Sequence, residues 1–484
     1  MTMPLPDLLA GIPAPGRVPS VRVAGMSLDS RKLLPGEAFI ALQGRREHGM
    51  QHAAAALDAG ASIVLHDEQA TPPVELEDRC LAVPGLERQL VHLARRLWND
   101  PAAMLDLVAV TGTNGKSSIA WLLAQAGNGA MIGTLGIGRP GGAEASSHTT
   151  PDLPSLYRAL AQLRDEGQRL VVMEASSHAL DQRRLEGLSL TTAIFTNLGR
   201  DHLDYHGSLE AYGQAKARLF MDYSSERQLI DIDDPFGRTL ADELAARPGR
   251  VRYGLEPDHR PDLLGRIIRA DLDGLVMDLD GPPGRLRLSC GLIGRVNARN
   301  LVVVASELLV RGLRPAEVVE RIAALEPVPG RMNRIDGSRG RRAVVDYAHT
   351  PDALANALHC LRELTPRRLV CVFGCGGERD AGKRPQMGRV AESIADRVVL
   401  TNDNPRGEDP IAILRQIQAG MARPDRARVI ADRGAAIAAA IADCGPGDCV
   451  LVAGKGHERT QDLGDRLIEF SDLEAVRLAL EEAA

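Results

Sequence analysis

Val110-Thr111-Gly112-Thr113-Asn114-Gly115-Lys116-Ser117 is the stretch that decides the fold. It follows the apolar run 105–110, which reads as a buried strand. It precedes an apolar-rich stretch over 119–126 that reads as a helix. Strand, glycine loop, Lys-Ser, helix is the order of a cradle for nucleoside-triphosphate phosphates. Gly112 and Gly115, with Thr113 and Asn114 between them, let backbone N–H groups close around an anion, and the helix N-terminus adds partial positive charge. Lys116 is placed to reach the β- and γ-phosphates, and Ser117 to offer its hydroxyl to Mg²⁺. The common spacing wants a glycine at 110, where this chain has Val110, so the loop is a variant form.

Working outward, the strand-like runs 170–174, 192–197 and 228–231 alternate with helical pattern, which suggests a mostly parallel sheet covered by helices. Residues 251–296 differ: the short runs 266–268, 274–278 and 285–290, separated by Gly and Pro turns, read as an antiparallel patch, and 300–325 returns to helix. Before the loop lie strand-like runs at 39–42, 62–65 and 80–83 and helix-like stretches at 52–59 and 86–98, closed by the turn Asn99-Asp100-Pro101. Glu326-Pro327-Val328-Pro329-Gly330 is the best linker. After it come strand-like runs at 342–346, 368–373, 397–401, 427–430 and 449–453. The expectation is an α/β chain of three domains, 1–98, 99–329 and 330–484.

With 44% apolar and 25% charged residues, the 484-residue chain can bury large cores. A net charge of −6, from 58 basic and 64 acidic residues, argues against a nucleic-acid binder held by bulk charge. Local clusters such as Arg183-Arg184 and Lys383-Arg384 can still serve small anions. The seven cysteines form no CxxC pair, so Cys371 and Cys375 read as buried thiols of a reducing compartment rather than metal ligands. There is no basic segment followed by a sustained apolar one, and no run of about 18 apolar residues that could span a bilayer. The expectation is a cytoplasmic protein without membrane contact.

Glu174 ends the apolar run 170–173 and should emerge at a strand's carboxyl end beside the glycine loop, where an oxygen ligand for Mg²⁺ is wanted. The stretch after it, Ala175 to Arg184, is dense in hydroxyl, imidazole, amide and guanidinium groups, as an anionic-substrate loop would be. His202 and His206 are four apart, but Leu203 stands where a zinc-protease pair needs a glutamate, so that reading is rejected. Taken alone, Lys216 reads as a surface helix lysine. In the third block, the loops 374–377, 403–406 and 454–458 each follow a strand-like run and carry polar side chains, which suggests a binding rim.

Together these motifs resemble the Mur ligases, ATP-dependent amino-acid ligases of peptidoglycan precursor synthesis, along essentially the whole chain. The order 110–117, Glu174 with Ser176-Ser177-His178, Asn197 to His206, Ala215-Lys216, Gly330-Arg331-Met332, Asp346-Tyr347-Ala348-His349 and 454–458 is the family's. The resemblance implies a central P-loop ATPase-type domain, flanked by an N-terminal UDP-binding domain and a C-terminal Rossmann-like domain. Leu28-Asp29-Ser30-Arg31, His148-Thr149-Thr150-Pro151-Asp152 and Asp403-Asn404-Pro405-Arg406 are similar to motifs of members acting on UDP-N-acetylmuramoyl-L-alanyl-D-glutamate, with meso-2,6-diaminopimelate rather than L-lysine as acceptor.

The roles implied are these. Leu28, Ser30, Arg45, Arg46 and Glu47 hold the UDP end. Thr149, Thr150, Ser176, Gln182 and Arg184 hold the muramoyl-dipeptide. Ser117, Glu174, His202 and a carbamate on Lys216 serve Mg²⁺, and Asn300 approaches the adenine. Arg379, Asp403, Asn404, Pro405, Arg406, Gly454 and Glu458 bind the incoming amino acid. Lys116, Lys216, His202 and Glu174 form the catalytic group. A lysine carbamate is an anionic oxygen ligand, which an ammonium cannot be, so the resemblance displaces the surface-lysine reading. It further implies a monomer, domain closure during turnover, and a part in cell shape and division. Ser117 in place of the commoner Thr keeps the hydroxyl, and Gly199 and Ala175 are small departures that remove no catalytic group.

Overall fold

The computed structural model describes residues 2–13, 17–44, 47–144, 146 and 148–483. The chain divides into two compact units, Met1–Gly254 with Asp258–Asp262, and Leu255–Pro257 with Leu263–Ala484.

The first unit carries a short antiparallel pairing of Met3–Pro4 with Arg22–Val23 and two larger sheets. The smaller pairs β1 (Met26–Ser27), β2 (Ala38–Ala41), β3 (Ile63–His66) and β4 (Cys80–Ala82) in that order, all parallel. Every residue of β2 and β3 is buried, as expected of parallel strands covered on both faces. The helix α1 (Ala53–Asp58) connects β2 to β3. After β4, α2 (Leu86–Leu97) buries Leu86, Leu90, Leu93, Ala94 and Leu97 along one stripe.

The larger sheet begins with β5 (Asp106–Thr111), which leads through the glycine loop into α3 (Lys116–Ala126). It continues through β6 (Ala130–Gly133), β7 (Gly136–Gly138), α4 (Leu153–Asp165), β8 (Leu170–Glu174), α5 (Ser177–Asp181), β9 (Leu190–Phe195), α6 (Leu203–His206), α7 (Leu209–Met221), β10 (Ser225–Asp231), α8 (Pro235–Glu243) and β11 (Arg250–Gly254). Within this unit the strand order is β11-β10-β9-β5-β8-β6-β7, parallel except for β7. The chain builds one side of β5 with β6 and β8, then crosses to the other with β9 and β10. That reversal is a switch point, where open α/β sheets bind ligands at the strands' carboxyl ends. The turn at Asn99 and Asp100 is present, with φ of 54° and 41°, and one apolar core runs on both sides of it: Leu90 and Leu93 share it with Leu156 and Leu160 of α4.

The second unit begins with three antiparallel strands, β12 (Leu263–Asp271), β13 (Gly274–Gly281) and β14 (Gly284–Cys290), followed by α9 (Arg295–Val310) and α10 (Pro315–Ala323), matching the antiparallel patch and return to helix. A six-stranded sheet follows, built from β15 (Asn333–Asp336), β16 (Arg342–Asp346), β17 (Leu369–Phe373), β18 (Arg397–Leu400), β19 (Arg428–Val429) and β20 (Cys449–Ala453). Its order is β15-β16-β20-β17-β18-β19, with only β15 antiparallel. Alternate residues of the central strands feed opposite cores: Val344, Cys371, Phe373 and Leu451 one, Val345, Val370, Val372 and Val450 the other. All seven cysteines are free thiols, and burial pushes Cys375 up to about 12, as the buried-thiol reading requires. No helix among the described residues is long and apolar enough to cross a membrane.

Candidate active site

The glycine loop closes the carboxyl end of β5 between its neighbours β8 and β9. Gly112 has φ 148°, and a Cβ there would stand 1.9 Å from Thr196 Oγ1, so only glycine fits where the loop crosses the end of β9. The loop is pinned from that side. Asn197 accepts from Thr113 N–H through its backbone O (2.8 Å) and from Asn114 N–H through Oδ1 (2.9 Å), and Thr196 Oγ1 donates to Asn114 O (2.6 Å). On the other side Ser117 Oγ donates to Glu174 Oε2 (2.9 Å), and Thr134 N–H donates to Glu174 Oε1 (2.7 Å). Glu174 is 1% exposed. Burial raises its pKa against the opposing charge of Lys116 and the bonds from Thr134 and Ser117. A carboxyl so placed favours a neighbouring cation.

Lys116 Nζ donates to the Gly112 and Thr113 carbonyls, at 2.8 and 2.9 Å. Lys216, on α7, is 1% exposed and donates to the same Gly112 carbonyl at 2.8 Å, with its Nζ 4.2 Å from the centre of the Tyr212 ring. Burial, reinforced by the Lys116 charge, lowers its pKa from 10.5 to about 6. The surface-lysine reading therefore fails on geometry: the amine is buried beneath the glycine loop. His202 caps α6 with φ 52° and lies 3.5 Å from the Asp201 carboxylate. Its ring sits edge-on to His178 at 4.8 Å, within a cluster that includes Tyr205, His206 and Tyr212. Among the described residues no three His, Cys, Asp or Glu side chains gather as a metal cage. The hydroxyl and carboxylate of Ser117 and Glu174 are instead the sparse oxygen set that suits Mg²⁺ shared with phosphates.

The residues expected to hold the muramoyl-dipeptide are joined to Glu174. Thr150 Oγ1 donates to the Glu174 carbonyl (2.7 Å) and accepts from Ser176 N–H (3.1 Å). Arg184 donates to the Thr150 carbonyl (2.7 Å) and to Gln182 Oε1 (2.7 Å), and Thr149 Oγ1 lies 3.1 Å from Thr134 Oγ1. Among the residues expected at the UDP end, Asp29 Oδ1 accepts from Arg31 N–H (3.0 Å) in a turn that holds Ser30, and the Arg31 guanidinium keeps the Asp29 carboxyl below its ordinary range. Leu28 packs on the core, and exposed Glu47 bonds His52 at 2.9 Å. Arg45 and Arg46 lie outside the described residues.

In the second unit, three strand-end loops meet at the sheet's carboxyl edge. Gly377 N–H donates to the Asn404 carbonyl (2.9 Å), and a Cβ on Gly454 (φ 119°) would stand 2.6 Å from Asp403 Oδ2. Pro405 is buried in the turn that presents Arg406, whose Nη1 donates to the Gly377 carbonyl at 2.8 Å. Arg406 itself has φ 52° and is half-buried, whereas Arg379 is exposed. Asn404 Nδ2 donates to Glu458 Oε2 (3.0 Å). Behind the loops the fully buried pair Arg433–Asp472 (2.7 Å) also ties the Asn402 and Ala453 carbonyls, at 3.1 and 3.0 Å. Asn300 lies on α9, 4% exposed, and donates to Asn297 Oδ1 at 3.1 Å.

Sequence reasoning left Thr134, Tyr212, Arg433 and Lys455 out of the site. Thr134 follows a buried strand in Gly133-Thr134, a signal that was available. Tyr212 stands one helical turn before Lys216 and Lys455 within the 454–458 loop, whereas Arg433 is found through partners distant in the chain.

The chain matches three family models: the Mur ligase family catalytic domain over residues 22–95, the Mur ligase middle domain over 110–307, and the Mur ligase glutamate ligase domain over 330–456. It is 44% identical to the UDP-N-acetylmuramoyl-L-alanyl-D-glutamate–2,6-diaminopimelate ligase of Xylella fastidiosa, covering 99% of this chain and 97% of that one. It is 46% identical to the protein of the same name from Chromobacterium violaceum, covering 93% of each. A solved structure of a ligase with that name is 34% identical, with a TM-score of 0.73, over 100% of this chain and 99% of that one. With family models and full-length relatives agreeing with the phosphate loop and its neighbours, the chain belongs to the Mur ligase family.

Proposed function

We propose that the protein is an ATP-dependent ligase that joins meso-2,6-diaminopimelate to the D-glutamyl γ-carboxylate of UDP-N-acetylmuramoyl-L-alanyl-D-glutamate, giving ADP and phosphate, in the cytoplasmic synthesis of peptidoglycan precursors. Residues 1–98 hold the UDP end, 99–329 the ATP and 330–484 the amino acid. The observation that carries the reading is the buried Lys216, whose amine shares the Gly112 carbonyl with Lys116, in the loop that leads to the Ser117–Glu174 pair. A regulatory nucleotide pocket has no use for a buried amine of lowered pKa in that place. A ligase of this family does: only the free amine adds CO₂, and the carbamate so formed is an anionic oxygen donor.

The γ-phosphate moves to the substrate carboxylate, making an acyl phosphate. The acceptor amine attacks it, and the tetrahedral adduct collapses to amide and phosphate. Bringing anions together is the main obstacle. Lys116, the loop N–H groups and the start of α3 offset that charge. Ser117, Glu174, His202 and a carbamate on Lys216 would hold Mg²⁺, which would supply further charge neutralisation when bound. Thr149, Thr150, Ser176, Gln182 and Arg184 orient the muramoyl-dipeptide, and such positioning can contribute roughly 7–11 kcal/mol. Arg406 and Glu458 meet the acceptor's charged groups, and Asn300 the adenine.

The product distribution tests the reaction class. The acyl-phosphate route gives ADP and phosphate, with positional isotope exchange in ATP when the amino acid is withheld. AMP and pyrophosphate would overturn it.

A further inference from the structure

Lys455 is 0% exposed, although it lies in the 454–458 loop, three residues before the half-buried Glu458. Its ammonium donates to two side chains, Asn404 Oδ1 at 3.0 Å and Glu458 Oε2 at 2.8 Å. Asn404 Nδ2 closes the triangle by donating to the same Glu458 oxygen at 3.0 Å. An ammonium only donates, so it fixes which end of the Asn404 amide faces it. Asp462 N–H supports the same orientation, donating to Asn404 Oδ1 at 3.0 Å.

Burying an ammonium is costly unless it is paired, and an apolar side chain would fill the space at less cost. Holding the loops in place does not require it. Arg433 already ties the backbone carbonyls of Asn402 and Ala453, at the bases of the two loops. Among the described residues the Lys455 ammonium instead bonds the two side chains assigned above to the acceptor. Resting on that functional reading, we propose that Lys455 is the positioning residue of the amino-acid pocket. It sets the Asn404 amide and aims Glu458, taking one carboxylate oxygen and leaving Oε1 for the ammonium of an acceptor that carries a carboxylate and an ammonium on one carbon.

The consequence is a selective loss of acceptor affinity when the ammonium is removed. Lys455→Met keeps the apolar stem. Its KM for diaminopimelate is expected to rise about tenfold or more, while kcat and the KM values for ATP and the UDP-substrate stay within about twofold. Lys455→Gln, which retains a donor, is expected to show the same pattern to a smaller degree and provides the test if the methionine variant does not fold. An unchanged KM for diaminopimelate in a folded variant overturns the proposal. So does a rise shared equally by all three substrates, which is the mark of a purely structural role. A wild-type protein without diaminopimelate-dependent phosphate release overturns the functional reading itself, and the proposal with it.

Discussion

Lys216→Met is expected to lower kcat about a thousandfold or more, equivalent to roughly 4 kcal/mol of transition-state stabilisation. The substitution preserves apolar volume beneath the Gly112 carbonyl and above the Tyr212 ring, so the fold should tolerate it. What disappears is an amine whose pKa burial lowers to about 6, and with it the proposed place for a carbamate. Isotopically labelled bicarbonate should give a carbamate signal in the wild type and none in the variant. Wild-type activity should fall in CO₂-free buffer and recover with bicarbonate.

Stability gives a second readout. In CO₂-free buffer the folded pKa is about 6 and the ordinary value is 10.5. Between these, the unfolded chain carries a proton that the folded chain lacks. Wild-type stability therefore rises with pH across that window, by up to roughly 1.4 kcal/mol per unit. Below about pH 6 both states are protonated and this term is constant. The methionine variant should lack the slope. A variant with undiminished turnover would remove Lys216 from the mechanism.

Arg406→Ala should abolish the preference for diaminopimelate over L-lysine. Arg406 is held by the Gly377 carbonyl and stands 4.0 Å from the Asp462 carboxylate, on a turn that Asn404 and Pro405 make rigid. A fixed guanidinium matches a carboxylate in a two-bond fork. L-lysine has no distal carboxylate to offer it. Losing such a pair costs about 2–5 kcal/mol, or roughly thirty- to several-thousandfold in relative kcat/KM. The comparison of kcat/KM for the two amino acids is the check, and an unchanged ratio would show that selectivity lies elsewhere.

The parts of the site that could be read from the sequence are those that sit at strand ends. The glycine loop, Glu174, Asn197 and the 403–406 turn each follow an apolar run whose length marks a buried strand, and β/α alternation sends those ends to one edge. Strand limits moved by a residue or two: the run expected at 192–197 is Leu190–Phe195, so Thr196 and Asn197 are already loop. What could not be read is burial caused by distant partners. Lys216 lies 104 residues from the carbonyl it bonds, and Lys455 lies 51 from Asn404. Each stands among neighbours that, by local pattern, could face solvent. For Lys216 the family resemblance supplied what periodicity could not.

ATP cleavage by this protein is expected to depend on one acceptor. The direct measurement is phosphate release with ATP, Mg²⁺ and UDP-N-acetylmuramoyl-L-alanyl-D-glutamate across a panel of amino acids. Rapid release with meso-2,6-diaminopimelate, and far slower release with L-lysine and with L-glutamate, is the predicted result. Release independent of any amino acid, or fastest with L-lysine or L-glutamate, would contradict it.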